Sequence, residues 1–227
     1  MHAMILAAGR GERLRPLTDN TPKPLLQAGP HRLIEYHLYA LARAGIREII
    51  INVAHLGQQI IDTLGDGSRY KVHIQYSDET GHVLETGGGI YNALPLLQSD
   101  PFLVINGDIW TDMDLRRLPD RIDREAHLVL VKNPPHNKAG DFCLHHGCVA
   151  DMDADSQSWT FSGMGLYSHR FFAGCQAGRF ALGGLLRSKF SRCGVTGEVY
   201  TGEWLDIGTR ERLNLLAERL AGERANP

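Results

Sequence analysis

The sequence predicts an α/β fold: a doubly wound, mixed but mostly parallel sheet with helices on both faces. Three observations point there. Short apolar runs such as Ile49-Ile50-Ile51 and Phe102-Leu103-Val104-Ile105 have the length and composition of strands buried on both faces. Segments with apolar residues at helical spacing alternate with these runs. The first apolar run, Ala3 to Ala8, opens into a glycine-punctuated loop, the place where open α/β sheets bind ligands.

Taken in order, Ile34 to Ala44 reads as a helix stopped by Gly45, and Ile46 to Val53 as a buried strand. Leu56 to Leu64 reads as a helix, and Val72 to Tyr76 alternates like a strand. Ile90 to Leu97 reads as a helix interrupted by Pro95, after a glycine-rich turn. Phe102 to Asn106 and Ala126 to Lys132 follow as core strands joined by right-handed connections. Beyond residue 140 the rhythm changes. Phe142 to Val149 reads as a hairpin turning at His146-Gly147, and Trp159 to Tyr167 as a long strand. Leu182 to Phe190 and Arg210 to Glu223 read as helices, the last amphipathic.

Composition excludes several classes. In 227 residues with a net charge of −2, bulk electrostatics give no reason to expect a nucleic-acid or membrane partner. No stretch nears the ~18 apolar residues of a membrane helix, and no signal peptide is visible before the glycine loop. Cys143, Cys148, Cys175 and Cys193 form no C-x-x-C pair, so reduced thiols and a cytoplasmic location are expected. A zinc site on Cys143, His145, His146 and Cys148 is disfavoured, because neighbouring strand residues point to opposite faces. Oligomeric state is not legible.

Positive charge is local. Arg10, Arg13, Arg15 and Lys23 crowd the segment after the first strand, where Gly9 and Gly11 let backbone N–H groups approach a phosphate. The string is not a dinucleotide fingerprint, since Leu14 stands where the third glycine belongs, and no P-loop string occurs. The bland alternative is a surface turn with solvated arginines. Against it, Arg13 offers a planar fork suited to phosphate oxygens, and Lys23 is a compact charge stiffened by Pro22 and Pro24. Arg10 and Arg15 are read as solvated or structural charges.

Leu6-Ala-Ala-Gly-Arg-Gly-Glu-Arg-Leu-Arg-Pro-Leu-Thr18 with Pro22-Lys-Pro24 resembles the signature of the sugar-1-phosphate nucleotidyltransferases. The resemblance continues through Leu84 to Gly89, Asn106-Gly-Asp108, Phe161-Ser-Gly163 and Trp204 to Thr209, and so spans nearly the whole chain. It implies a Rossmann-like, glycosyltransferase-A-like sheet with a small sugar-binding cap. A single domain over 1–227 is expected, with a nucleotide-binding core over about 1–135 and a sugar-binding, closing part over 136–227. No hexapeptide repeat is present, so no left-handed β-helix is expected. Leu84-Glu-Thr-Gly-Gly-Gly, Gly140-Asp-Phe and Gly202-Glu-Trp-Leu-Asp-Ile-Gly-Thr are most similar to the branch acting on N-acetylmuramate 1-phosphate with UTP in peptidoglycan recycling.

The reaction so implied is direct displacement at the α-phosphorus, in which positioning and charge neutralisation dominate. Arg13, Lys23 and Asp108 are the expected catalytic residues. Nucleotide contacts are expected from Leu6, Ala7, Ala8, Gly9, Gly11, Arg13, Lys23, Glu85, Thr86, Gly87 and Gly88. Lys23 would bridge the two phosphates. Asp108, at the end of an apolar strand, and Asp206, beside Trp204-Leu205, are the expected magnesium ligands; each alone reads equally well as a turn or cap residue. The sugar phosphate would meet Asn106, Gly140, Asp141, Ser162, Gly163 and Trp204. Lys132-Asn133-Pro134 stands where many relatives carry Glu-Lys-Pro, which puts the usual hexose contact in doubt and fits a sugar bearing a lactyl ether. Two alternatives stay open. One is another sugar-phosphate or phosphocholine nucleotidyltransferase using GTP, dTTP, ATP or CTP; the other is a silent nucleotide sensor.

Overall fold

The computed structural model describes residues 1–82, 84–153 and 156–222. In chain order the strands are β1 (His2–Leu6), β2 (Gln27–Ala28), β3 (His31–Arg32), β4 (Glu48–Val53), β5 (His73–Asp78), β6 (Phe102–Asn106) and β7 (Ile109–Thr111). They continue with β8 (Ala126–Val131), β9 (Phe142–His145), β10 (Cys148–Ala150), β11 (Ser158–Tyr167), β12 (Val195–Tyr200) and β13 (Trp204–Asp206). The helices are α1 (Leu33–Arg43), α2 (Gly57–Leu64), α3 (Glu85–Ala93), α4 (Leu182–Ser188) and α5 (Arg210–Gly222). Glu223, the expected last residue of the final helix, lies outside the described residues.

The main sheet runs β5-β4-β1-β6-β11-β8-β12-β10-β9. β5, β4, β1 and β6 are mutually parallel, as are β8 and β12. β11 lies antiparallel between β6 and β8, so the long strand after the hairpin splits the sheet's two parallel groups. Successive residues of the parallel strands face opposite cores, which explains their unbroken apolar runs. Ala3, Ile5, Ile49 and Ile51 pack with Leu38 and Leu41 of α1 and Ile60 of α2. Met4, Ile50 and Val104 pack with Ile90 of α3 and Leu182 of α4 on the other side. A third cluster joins Leu14 and Trp110 to Ile207, Leu213 and Leu216, seating α5 behind the glycine loop.

Two expectations are corrected. The helix placed at Ile90 to Leu97 is α3 and begins at Glu85. Its glycines are not a turn before the helix but its packing face: a Cβ on Gly88 would come 2.2 Å from Gly178 O, and one on Gly87 2.6 Å from Phe180 Cδ2. Reduced thiols are overturned at Cys148 and Cys193, which form a disulfide tying β10 to the segment before β12. The hairpin itself turns as expected, with φ of +49° at His146 and +83° at Gly147. The bridge takes Cys148 out of any ligand set; Cys143, His145 and Asp153 bring ligand atoms within 4.8 Å of one another.

Candidate active site

β1 delivers the chain to the glycine loop at the carboxyl end of the sheet, where Ala7 N donates to Asn52 Oδ1 (2.7 Å) at the end of β4. Gly11 adopts φ +66°, and a Cβ there would lie 2.9 Å from Thr18 Cγ2 and 3.1 Å from Lys23 Cβ. The loop therefore rests directly on Lys23, with Thr18 Oγ1 donating to Gly11 O (2.9 Å). Lys23 opens a short 3-10 turn with Pro24 behind it, and its side chain is only 10% exposed. Its Nζ donates to Asp108 Oδ2 at 2.7 Å.

Asp108 reaches that point because Gly107 docks on the end of β1. Gly107 N donates to Leu6 O (2.9 Å), and a Cβ on Gly107 would come 2.5 Å from that oxygen. The next residues form the β7–β13 ribbon, in which Asp206 is registered opposite Ile109 and Ile207 N donates to Asp108 O (2.7 Å). The two aspartates, 98 positions apart by their residue numbers, thus meet across one small ribbon. Asp206 is gripped by Arg212 Nη1, 2.6 Å from both of its oxygens, and by His136 Nε2 at 2.9 Å. His37 of α1 is fully buried near Asp108, and burial holds its pKa down at about 4 although the Asp108 charge pulls upward.

A cavity of about 960 Å³ opens over the loop, lined by residues 6–14, Lys23, Asn52, Glu79, Leu84, Glu85, Thr86 and Asp108. A smaller one of about 240 Å³ shares Asn106 and Asp108 with it and is closed by His136, Asn137, Thr160, Ser162, Trp204 and Asp206. Glu79 is buried at the end of β5, where its Oε1 accepts from Asn52 Nδ2 (2.9 Å); burial raises its pKa above the usual carboxylate range.

Of the expected nucleotide residues, Leu6, Ala7, Ala8, Gly9, Gly11, Arg13, Lys23, Glu85 and Thr86 line the larger cavity, whereas Gly87 and Gly88 are packed inside α3. Arg10 also lines it; Arg15 turns outward to Asp19 (2.5 Å). Of the expected sugar residues, Asn106, Ser162 and Trp204 line the smaller cavity. Gly140, Asp141 and Gly163 stand behind its wall. Asp141 accepts from Phe161 N (2.9 Å) and Asn137 Nδ2 (3.1 Å), holding two lining residues in place. Ser162-Gly163 form a bulge in β11 opposite β8, with Gly163 at φ +82° against Asn106. The bulge presents Ser162 O to Trp204 Nε1 (2.8 Å). Asn133 is engaged with Ser158 Oγ (3.0 Å) and Thr160 Oγ1 (3.0 Å) rather than with the cavity.

Asn52, Glu79, His136, Asn137, Thr160 and Arg212 were not anticipated. Asn52 and Glu79 carried a signal, since both stand at carboxyl ends of parallel strands. The others carried none.

The nucleotidyl transferase family profile matches residues 2–156. An N-acetylmuramate alpha-1-phosphate uridylyltransferase of Neisseria meningitidis is 51% identical, over 98% of this chain and 99% of that one. The chain belongs to the nucleotidyl transferase family. A mannose-1-phosphate guanylyltransferase of Mycobacterium tuberculosis is 37% identical over 58% of this chain and 38% of its own. Among solved structures, a putative glucose-1-phosphate thymidylyltransferase from Bacillus anthracis superposes with a TM-score of 0.85 at 21% identity, covering 97% of this chain and 95% of the other. That likeness is one of fold, and it covers the residues after 156 that the profile does not reach. No described helix is long and apolar enough to cross a membrane.

Proposed function

We propose that this chain transfers a uridylyl group from UTP to N-acetyl-α-D-muramic acid 1-phosphate, releasing pyrophosphate and UDP-N-acetylmuramic acid. The observation that carries the reading is the 51% identity over 98% of the chain to the N-acetylmuramate uridylyltransferase. Geometry supports it. The larger cavity takes the triphosphate on the glycine loop, and the smaller one takes the sugar, with the Lys23–Asp108 pair at the boundary they share. Residues up to about 135 would supply most of the nucleotide site and the remainder most of the sugar site.

In this reading the sugar phosphate oxygen attacks the α-phosphorus and the pyrophosphate bond breaks opposite to it. Lys23, nearly enclosed, holds its charge between the two phosphates, where the shift of negative charge in the transition state is greatest. Arg13 and the loop amides take the outer phosphates, which leave as pyrophosphate. Asp108 and Asp206 fit a magnesium ion: two hard carboxylates on one ribbon, each already matched by a cation in the form of Lys23 or Arg212. Bound there, magnesium would supply further neutralisation of the phosphate oxygens. Glu79 offers a carboxylate acceptor that suits a base edge with a ring N–H, as uracil, thymine and guanine have, and opposes the acceptor ring nitrogen beside the amino group of cytosine and adenine. The choice of uridine among the first three rests on the relative. Use of UTP to make a wall precursor is consistent with a role in peptidoglycan recycling in the cytoplasm, where UTP is available.

Pyrophosphate release tests this, with UTP, GTP, dTTP, ATP and CTP crossed against N-acetylmuramic acid, N-acetylglucosamine, glucose and mannose 1-phosphates and phosphocholine, with and without a chelator. Chelator-sensitive turnover with UTP and the muramic acid phosphate is expected. Turnover with a different pair overturns the substrates and keeps the chemistry; nucleotide binding without turnover on any pair favours the sensor.

A further inference from the structure

Around Asp206 the structure already displays a carboxylate-binding arrangement. Arg212 Nη1 lies 2.6 Å from both oxygens, and His136 Nε2 lies 2.9 Å from one of them. His136 lines the smaller cavity, and its side chain is 42% exposed, so this clasp opens toward the sugar. Arg212 stands in the first turn of α5 with only 17% of its side chain exposed, a charge fixed in place rather than solvated. Its Nη2 crowds Gly208: a Cβ there would come 2.3 Å from it and 3.1 Å from both terminal nitrogens of Arg13. Two guanidinium groups therefore converge on one glycine. Among the described residues, Asp206 is the only carboxylate paired with Arg212, and Arg13 has no carboxylate partner.

Arg212 beside the sugar cavity is matched by Asp206 alone, so if Asp206 turns away a second anion is needed. The phosphates already have Lys23, Arg13 and the loop amides. The sugar proposed above differs from N-acetylglucosamine 1-phosphate by one lactyl ether, and that ether ends in a carboxylate. The lining itself carries Asp108 and Asp206, so an acidic sugar is repelled unless a cation receives it. We infer that Arg212 and His136 form the subsite for the substrate's carboxylate, taking it in place of Asp206 when Asp206 turns to the metal. The inference rests on the proposed sugar. It makes the Asp206 contacts a placeholder: a carboxylate of the chain holds the guanidinium and imidazole in position until the substrate's carboxylate displaces it. A neutral hexose phosphate would gain nothing from the exchange.

The test is equilibrium binding by calorimetry, with magnesium and with chelator, of N-acetylmuramic acid 1-phosphate and N-acetylglucosamine 1-phosphate to the wild type, Arg212→Gln and His136→Gln. Wild type is expected to bind the muramic acid phosphate at least tenfold more tightly in magnesium, with the difference shrinking in chelator. Arg212→Gln should lose about 30-fold in affinity for the muramic acid phosphate and less than about threefold for the other, the scale of a charge-assisted hydrogen bond. His136→Gln, a change on an exposed loop outside α5 at a ring that lies 2.8 Å from Arg212 Nη1, should lose about fivefold with the same selectivity. Equal losses on both sugars would show that Arg212 and His136 only position Asp206, and unchanged affinities would remove the subsite; either overturns the inference while the proposed reaction stands. A wild type with no preference for the muramic acid phosphate overturns the proposed sugar and this inference together.

Discussion

The two cavities share Asn106 and Asp108 yet are built in opposite ways. The larger one gathers the carboxyl ends of four parallel neighbours, β5, β4, β1 and β6, and its phosphate end is one continuous stretch of backbone over residues 6–14. The smaller one is assembled from a bulge in β11, the ribbon strands β7 and β13 and the loop before β9, held by bonds between distant residues. The difference follows from the ligands. A triphosphate is recognised by amides and cations that a short motif can carry. A particular sugar needs side chains aimed from several directions, and only the finished fold brings those together.

The strongest way to break that comparison is at the boundary. Lys23→Ala and Asp108→Asn should each cut turnover by at least ~100-fold, the scale for removing a preorganised charge contact. Because Nζ and Oδ2 are 2.7 Å apart, the double variant should fall well short of the product of the two losses. Steady-state pyrophosphate release on the single and double variants gives the answer. Additive losses would mean that the two residues serve separate cavities and share nothing.

Legibility divides along the same line. The strands β1, β4 and β6 are readable because burial on both faces leaves an apolar run, and the loop because its glycines and arginines lie close together in sequence. The position of α3 was not readable: Gly87 to Gly89 look like a turn until Phe180 and Gly178 are known to press against them. The Cys148–Cys193 bridge was hidden for a similar reason, since the partners are 45 residues apart and the spacing forms no motif. Asp206 was found by its family position. Its partner Arg212, 2.6 Å away in space and six residues on in sequence, looks like any charge on an amphipathic helix.

A paired substitution sharpens the comparison at intermediate size. Gly11→Ala and Gly163→Ala both place a side chain at positive φ, +66° and +82°, against a close neighbour. Each should cost about tenfold in kcat/KM, the scale of 1–3 kcal/mol of backbone strain. They should differ in where the loss falls: KM for the nucleotide rises in the first, because the loop over Lys23 is displaced, and KM for the sugar phosphate in the second, because Asn106 is pushed. A loss shared equally between the two substrates in both variants would erase the distinction between the cavities.

Glu79→Gln should act more mildly, lowering kcat/KM with UTP by about fivefold and raising relative use of CTP, since the amide can donate where the carboxylate only accepts. The sign of its stability effect is also set. Burial raises the Glu79 pKa, so the neutral form is favoured in the fold and ionisation destabilises it. The stability that Glu79 contributes is therefore present below its unfolded pKa and lost as pH rises through its folded one. Denaturant unfolding should show the variant gaining on the wild type at pH 8 relative to pH 4, and a constant difference across that range would remove the buried carboxylate from this account.

The smallest effect on turnover is expected at His37, which touches neither cavity yet lies beneath the aspartate they share. Burial presses its pKa from 6.5 to about 4, so it is neutral in the fold and protonates more readily when unfolded. A depressed pKa contributes stability that is present above pH 6.5 and lost as pH falls toward 4, by at most about 3 kcal/mol over that window. Asp108 opposes the shift and keeps the loss from being larger. His37→Gln should leave turnover at pH 7.5 within about twofold and make chelated protein less sensitive to acid, so that its unfolding midpoint falls more slowly than wild type's between pH 6.5 and 4. If the two midpoints fall in parallel, His37 does not titrate with unfolding. The floor under Asp108 is then less dry than its burial implies, and the boundary between the cavities is held by the Lys23 pair and the ribbon alone.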